Sequence, residues 1–111
     1  MTTNPDHTIK IAVDASGNFT YTPTHLRAKR NETINFDTDP PGGHFEVMFK
    51  DRTPGDRIHI NKNTHKNKGP AGNMGHLQCT NDAGVYQYVA AVYDGTNVFV
   101  DGGCGDIGVG D

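Results

Sequence analysis

Tyr86-Gln87-Tyr88-Val89-Ala90-Ala91-Val92-Tyr93 is the stretch on which the fold turns, and it reads as a buried β-strand running into a loop. Tyr86 and Tyr88 share the parity of Ala90 and Val92, and in a strand residues of one parity share one face. All four are therefore expected to point inward. Asn81-Asp82-Ala83-Gly84 forms a turn ahead of the strand, and Asp94-Gly95-Thr96-Asn97 forms another behind it. Asn97-Val98-Phe99-Val100 follows as a strand, residues 101–105 are glycine-rich, and Ile107 and Val109 alternate in a closing strand.

The same period of two recurs towards the beginning of the chain. Ile9, Ile11 and Val13 share a face of one strand, and Ser16-Gly17-Asn18 marks a turn. Phe19-Thr20-Tyr21-Thr22-Pro23 continues extended, with Pro23 restricting it to an edge or a strand end. Leu26 and Ala28, then Ile34 and Phe36 beyond Arg30-Asn31-Glu32, read as a hairpin. Asp37-Thr38-Asp39-Pro40-Pro41-Gly42-Gly43 is a loop, and His44-Phe45-Glu46-Val47-Met48-Phe49 is the next strand. From Lys50 to Gly75 the pattern is irregular, with Arg57-Ile58-His59-Ile60 a short strand inside it; order returns at His76-Leu77-Gln78-Cys79. No segment shows ten or more residues of helical period bounded by caps. Eight or nine short strands predict an all-β chain, a two-sheet antiparallel Greek-key β-sandwich.

Size and composition agree with that architecture. At 111 residues the chain fits one domain, 1–111, with the irregular loop at about 50–75. Only 33% of residues are hydrophobic and there is no Trp, while 14 glycines and 6 prolines supply the turns that many short strands need. No apolar run approaches the roughly 20 residues of a membrane helix, so no membrane span is expected. The opening residues carry no basic stretch followed by an apolar segment, which predicts no secretory signal in this chain.

Net charge is −3 and unevenly distributed. Every Lys and Arg lies at or before Lys68, so the first 68 residues, with ten bases and eight acids, are slightly positive, and the rest hold five Asp and no base. Neither half is basic enough for nucleic acid, and aromatics interleaved with Arg are missing. The scattered bases from Lys50 to Lys68 read as a solvated loop.

Taken in order, several segments resemble the cupredoxins, the family of plastocyanin, azurin and their relatives. Residues 19–26, Phe19-Thr20-Tyr21-Thr22-Pro23-Thr24-His25-Leu26, with Asn31-Glu32-Thr33-Ile34-Asn35-Phe36, are similar to the family's aromatic-x-Pro-x-x-Leu stretch followed by an acidic turn and a strand. Gly43-His44-Phe45-Glu46-Val47-Met48-Phe49 resembles the strand that opens with a histidine ligand; Gly84-Val85-Tyr86-Gln87-Tyr88 and Gly105-Asp106-Ile107-Gly108-Val109 resemble the family's last two strands. The resemblance implies a cupredoxin-like sandwich and, at one end, a type 1 copper site of two histidines, a cysteine thiolate and a weak axial methionine.

This chain departs from that ligand set. The cysteine position falls on Ala90, the second histidine on Tyr93, and the axial position near Gly103 or Cys104. Alanine has no donor atom, and a neutral phenol is a poor ligand. Of the set only His44 remains, and its parity opposes that of Phe45, Val47 and Phe49, which makes it a polar residue turned away from the core unless a bulge at Gly42-Gly43 resets the register. No cofactor is therefore expected, with copper or zinc left as an alternative in a rearranged site of His44 with His59, His65 or His76 and a reduced Cys104.

Cys79 and Cys104 are expected to form a disulfide, closing a loop of about 25 residues and contributing roughly 3 kcal/mol in the chain-entropy model; reduced thiols are the alternative. A disulfide favours a periplasmic or secreted setting. Ser16, the only serine, sits in a turn and resembles no nucleophile elbow, so no enzymatic activity is expected. Asp82, Asp94, Asp101 and Asp106 read as turn formers rather than calcium ligands. The function expected is a non-catalytic cupredoxin-like binding or structural module for an unknown protein or small-molecule partner. Its recognition surface would lie at residues 40–44, 93–97 and 101–105. A histidine-based metal protein and an immunoglobulin-like assembly or adhesion domain are the alternatives.

Overall fold

The structure, a computed structural model, describes residues 6–39, 43–50, 53–58, 66–68 and 76–110, with the backbone alone described at 56–58, 66–68 and 76. The chain is all-β: eleven strands and no helix lie among the described residues. They are β1 (His7–Val13), β2 (Phe19–Thr22), β3 (His25–Lys29), β4 (Thr33–Thr38), β5 (His44–Phe49), β6 (Asp56–Ile58), β7 (Lys66–Lys68), β8 (His76–Gln78), β9 (Gly84–Tyr93), β10 (Val98–Val100) and β11 (Gly105–Gly110). No helix among them is long and apolar enough to cross a membrane.

Alternation makes the core. Ile9 and Ile11 of β1, Ile34 and Phe36 of β4, and Leu77 of β8 face inward from one sheet, ordered β2-β1-β4-β8-β6. Leu26 and Ala28 of β3, Phe45, Val47 and Phe49 of β5, Tyr86, Tyr88 and Ala90 of β9, and Ile107 and Val109 of β11 face inward from the other, ordered β3-β11-β9-β5-β7 with β10 beside β9. A one-residue slip of any of these strands would turn its whole apolar set outward, so the pattern fixes the register.

Two expectations about pairing are corrected. The sheets are mixed: β1 runs parallel to β4, and β3 runs parallel to β11. The segments around Leu26 and Ile34 are not a hairpin, because β3 and β4 belong to different sheets. At the corner between them Asn31 takes a left-handed backbone conformation, φ 72°. The backbone groups there bond to other strands: Arg30 N–H donates to Gly110 C=O at 2.9 Å, Asn31 N–H to Cys79 C=O at 2.7 Å, and Cys79 N–H to Glu32 C=O at 2.9 Å. Inward alternation is the same for two strands of a hairpin and for two strands facing each other across a sandwich, which is why the period alone did not separate them. β7 is also a strand inside the stretch expected to be irregular, paired antiparallel with β5.

Tyr88 occupies the centre of the core. Its ring meets Tyr21 at 5.0 Å, Phe36 at 5.2 Å and Phe49 at 6.0 Å between centroids, each tilted between 67° and 77°. Edge-to-face pairs of this kind add about 0.5–1.5 kcal/mol each beyond area burial. The Tyr88 hydroxyl lies against Gly105, where any Cβ would collide with it. Glycine at 105 is thus required by close approach rather than by backbone angle.

Next to Tyr88 the strand β9 changes partners. β11 pairs with it from Gly84 to Tyr88, and β10 pairs with it from Ala91 to Tyr93. In the gap, Ala90 N–H donates to the Tyr21 hydroxyl at 3.0 Å and Ala90 C=O accepts from Asp101 N–H at 3.1 Å. The same Tyr21 hydroxyl donates to Asp101 Oδ2 at 2.7 Å. A side chain from β2 therefore crosses the sandwich to satisfy the backbone of the opposite sheet. Tyr21→Phe removes both bonds and leaves a buried N–H unpartnered, so urea unfolding should show a loss of about 2–3 kcal/mol. A change within about 0.5 kcal/mol, the range of an ordinary surface substitution, would remove this bridge from the account of stability.

Candidate functional site

At one end of the molecule the two sheets part around a cavity of about 330 Å³. Its position follows from strand direction. Parallel β1 and β4 both end there, β9 ends there, and β5, antiparallel to β9, begins there. Ile11 and Thr38, both buried, lie deepest; Val13, Val92 and Phe99 form half-buried walls; Asp14, Asp39, Tyr93 and Asp94 are exposed at the mouth. Phe99 of β10 packs over Gly17 in the β1–β2 turn, at 3.4 Å from where a Cβ would stand. That glycine has φ +86°, a conformation side chains resist.

The mouth is shaped by short polar turns. Asp14 Oδ1 accepts from Ser16 N–H and Asn18 N–H, each at 2.9 Å, and these bonds, with one from the Asn18 amide, hold its carboxyl below the usual range. Asp94 Oδ1 accepts from Thr96 N–H at 2.8 Å and Asn97 N–H at 2.7 Å, which lowers its carboxyl likewise. Gly43 N–H donates to Thr38 Oγ1 at 2.7 Å and ties the start of β5 to the end of β4.

The expected recognition surface overlaps this cavity in part. Gly43, Tyr93 and Asp94 line it, residues 40–42 lie outside the described residues, and Asp101 is instead engaged by Tyr21. What sequence reading missed is the opposite wall, Ile11, Val13, Asp14 and Ala15. The Ser16-Gly17-Asn18 turn was legible, but nothing in the sequence brings it against Phe99.

Among the described residues, those weighed as metal ligands do not come together. His44 is exposed and faces Tyr93 across the β5–β9 ladder, with ring centroids 6.3 Å apart. Ala90 is 1% exposed and sits opposite Val47 on the inner face. Side chains at 44 and 90 thus leave the sheet on opposite sides. His59 and His65 lie outside the described residues, as does the side chain of His76. Among the described residues no three His, Cys, Asp or Glu converge to hold a metal ion.

The expected Cys79–Cys104 disulfide is not formed: both cysteines are free thiols. Strand length gives the reason. Cys104 precedes β11, whereas Cys79 bonds to the corner reached from the end of β11 through Gly110. Five extended steps separate these ends, about 17 Å, against the roughly 7 Å that a disulfide spans between Cα atoms. Cys79 is fully buried, and burial, with Glu32 nearby, pushes its thiol up to about 11 from 9.0. Cys104 is half-buried.

No family model matches the chain, and no curated protein matches it in sequence.

Thiolate, not thiol, is the nucleophile, so alkylation of the native protein at neutral pH should label Cys104 alone, and a second equivalent should react only after unfolding. Native protection of both, or a mass two hydrogens lighter, would contradict the arrangement. Stability should also fall at high pH. The folded-state values of Cys79, Tyr21 and Tyr88 are all raised, chiefly by burial. Their contribution is complete below the unfolded values of 9.0 for the thiol and 10.0 for the phenols and is lost as pH climbs through the folded ones. Chemical unfolding at pH 7, 9 and 11 should show little change over the first interval from these groups and a clear loss over the second.

Proposed function

We propose that this chain is a non-catalytic cupredoxin-like binding module without a blue copper site, and that its ligand seats in the cavity at the end of the sandwich. The observation that carries the reading is the cavity itself: about 330 Å³, apolar within and polar at its mouth, at the end of the sandwich where the resemblance puts the family's site.

Strand order supports the cupredoxin-like reading. One extended run is divided around Pro23 between β2 in one sheet and β3 in the other, and β3 then lies parallel to the last strand. An immunoglobulin-type sandwich would instead group its first, second, fifth and fourth strands against its third, sixth and seventh. The Tyr86 hydroxyl donates to the Asp82 carbonyl four residues upstream, a contact of the tyrosine-corner type that immunoglobulin-like sandwiches also carry and that does not separate the two readings. The absence of the copper thiolate is supported by Ala90, whose side chain is in the core and whose N–H and C=O are taken by Tyr21 and Asp101.

Two measurements test this. Cu(II) added to reduced protein should give no intense blue thiolate band; its appearance would refute the reading of position 90. A titration with 2-phenylethanol should shift the amide resonances of Val13, Val92 and Phe99 saturably, and Val92→Trp, which fills the cavity, should abolish the response with native thermal unfolding retained. Shifts confined to other parts of the molecule would overturn the assignment of the site.

A further inference from the structure

The cavity's charge narrows the ligand class. We propose that it takes a small organic cation, an ammonium group carried on an apolar body, with the body among Ile11, Val13, Val92 and Phe99 and the ammonium at the Asp14, Asp39 and Asp94 mouth. This rests on the reading of the cavity as a binding site and adds the sign of the ligand's charge.

Three observations carry it. Among the described residues no lysine or arginine lines the cavity, and none occurs in the sequence at 11–26, 31–49 or 69–111, so the segments that line it bring acids and no base. The nearest described base on β1, Lys10, is turned to Asp37, 3.8 Å away. Second, the carboxylates retain capacity. Asp94 uses Oδ1 for its turn, leaving Oδ2 without a partner among the described residues, and the exposed Asp39 carboxylate likewise has none there. Turn amides hold Asp14 and Asp94 in the charged form. Third, Tyr93 at the rim and Phe99 in the wall are aromatic rings, whose faces attract cations within about 6 Å of the ring.

The geometry also selects among cations. The three carboxylates stand around an opening and do not converge as a ligand group. Compact divalent ions need six or more oxygens at 2.0–2.6 Å, whereas an ammonium with three donors is satisfied by one or two carboxylates and water. An apolar interior adds nothing for a bare ion and favours a body of several carbons.

The test compares three probes of one shape: 2-phenylethylammonium, 2-phenylethanol and phenylacetate, titrated into the native protein and followed by the amide resonances of Val13, Val92 and Phe99. The ammonium should bind at least about fivefold tighter than the alcohol, and the carboxylate should bind weakest. Because single exposed charge pairs are worth a factor of about 2 to 5, Asp39→Asn and Asp94→Asn should each weaken the ammonium by that factor and leave the alcohol unchanged. Both substitutions keep the size of the side chain, and the amide oxygen introduced at position 94 can still accept the two turn N–H groups. Equal binding of ammonium and alcohol, or insensitivity to both substitutions, would overturn the cation assignment while leaving the cavity as a binding site. Failure of all three probes would overturn both.

Discussion

The hydroxyl of Tyr21 is the point on which the two sheets depend. β9 is the longest strand among the described residues and the hub of its sheet, with β5 along one side and two shorter strands, β11 and β10, end to end along the other. Where those two meet, a backbone N–H and C=O at Ala90 would be left without ladder partners in a water-poor interior, and an unpaired buried group costs about as much as a lost hydrogen bond. Tyr21 supplies the acceptor and Asp101 the donor, and the two are joined to each other. One contact thus holds β2 against β9, places the segment between β10 and β11, and lets β9 continue past β11 to Tyr93.

That continuation shapes the cavity. Beyond Ala90 the strand turns back through β10, whose Phe99 reaches the β1–β2 turn and closes one wall of the cavity. The chemistry at this end follows from the same contact. Position 90 is committed to the core and to backbone bonding, His44 faces outward beside Tyr93, and the sulfur of Cys104 has no route to that of Cys79. Among the described residues, the side chains at the opening are carboxylates and aromatic rings.

The strand pattern was legible wherever one face is buried. The parity of His44 against Phe45, Val47 and Phe49 correctly turned the histidine outward, and Tyr86, Tyr88 and Ala90 face inward as their spacing required. Pairing was less legible. Leu26 and Ile34 each carry a correct inward assignment, yet they belong to different sheets, because alternation records which face is buried and not which strand lies alongside. The disulfide expectation failed for a related reason: loop length measures the entropy of closing a bond, while the length of β11 decides whether the sulfurs can meet.

By itself the sequence determined the strand class, the inward residues and the turns, since all of these follow from local period and backbone preference. Tertiary structure decided the mixed pairing of the sheets, the bridge from Tyr21 to Ala90 and Asp101, the separation of the thiols and the meeting of the β1–β2 turn with β10 around a cavity. These are relations between segments that can lie more than 80 residues apart, as Gly17 and Phe99 do, and no local period encodes them. They are fixed when the sheets close on one another and buried backbone groups such as those of Ala90 must find partners.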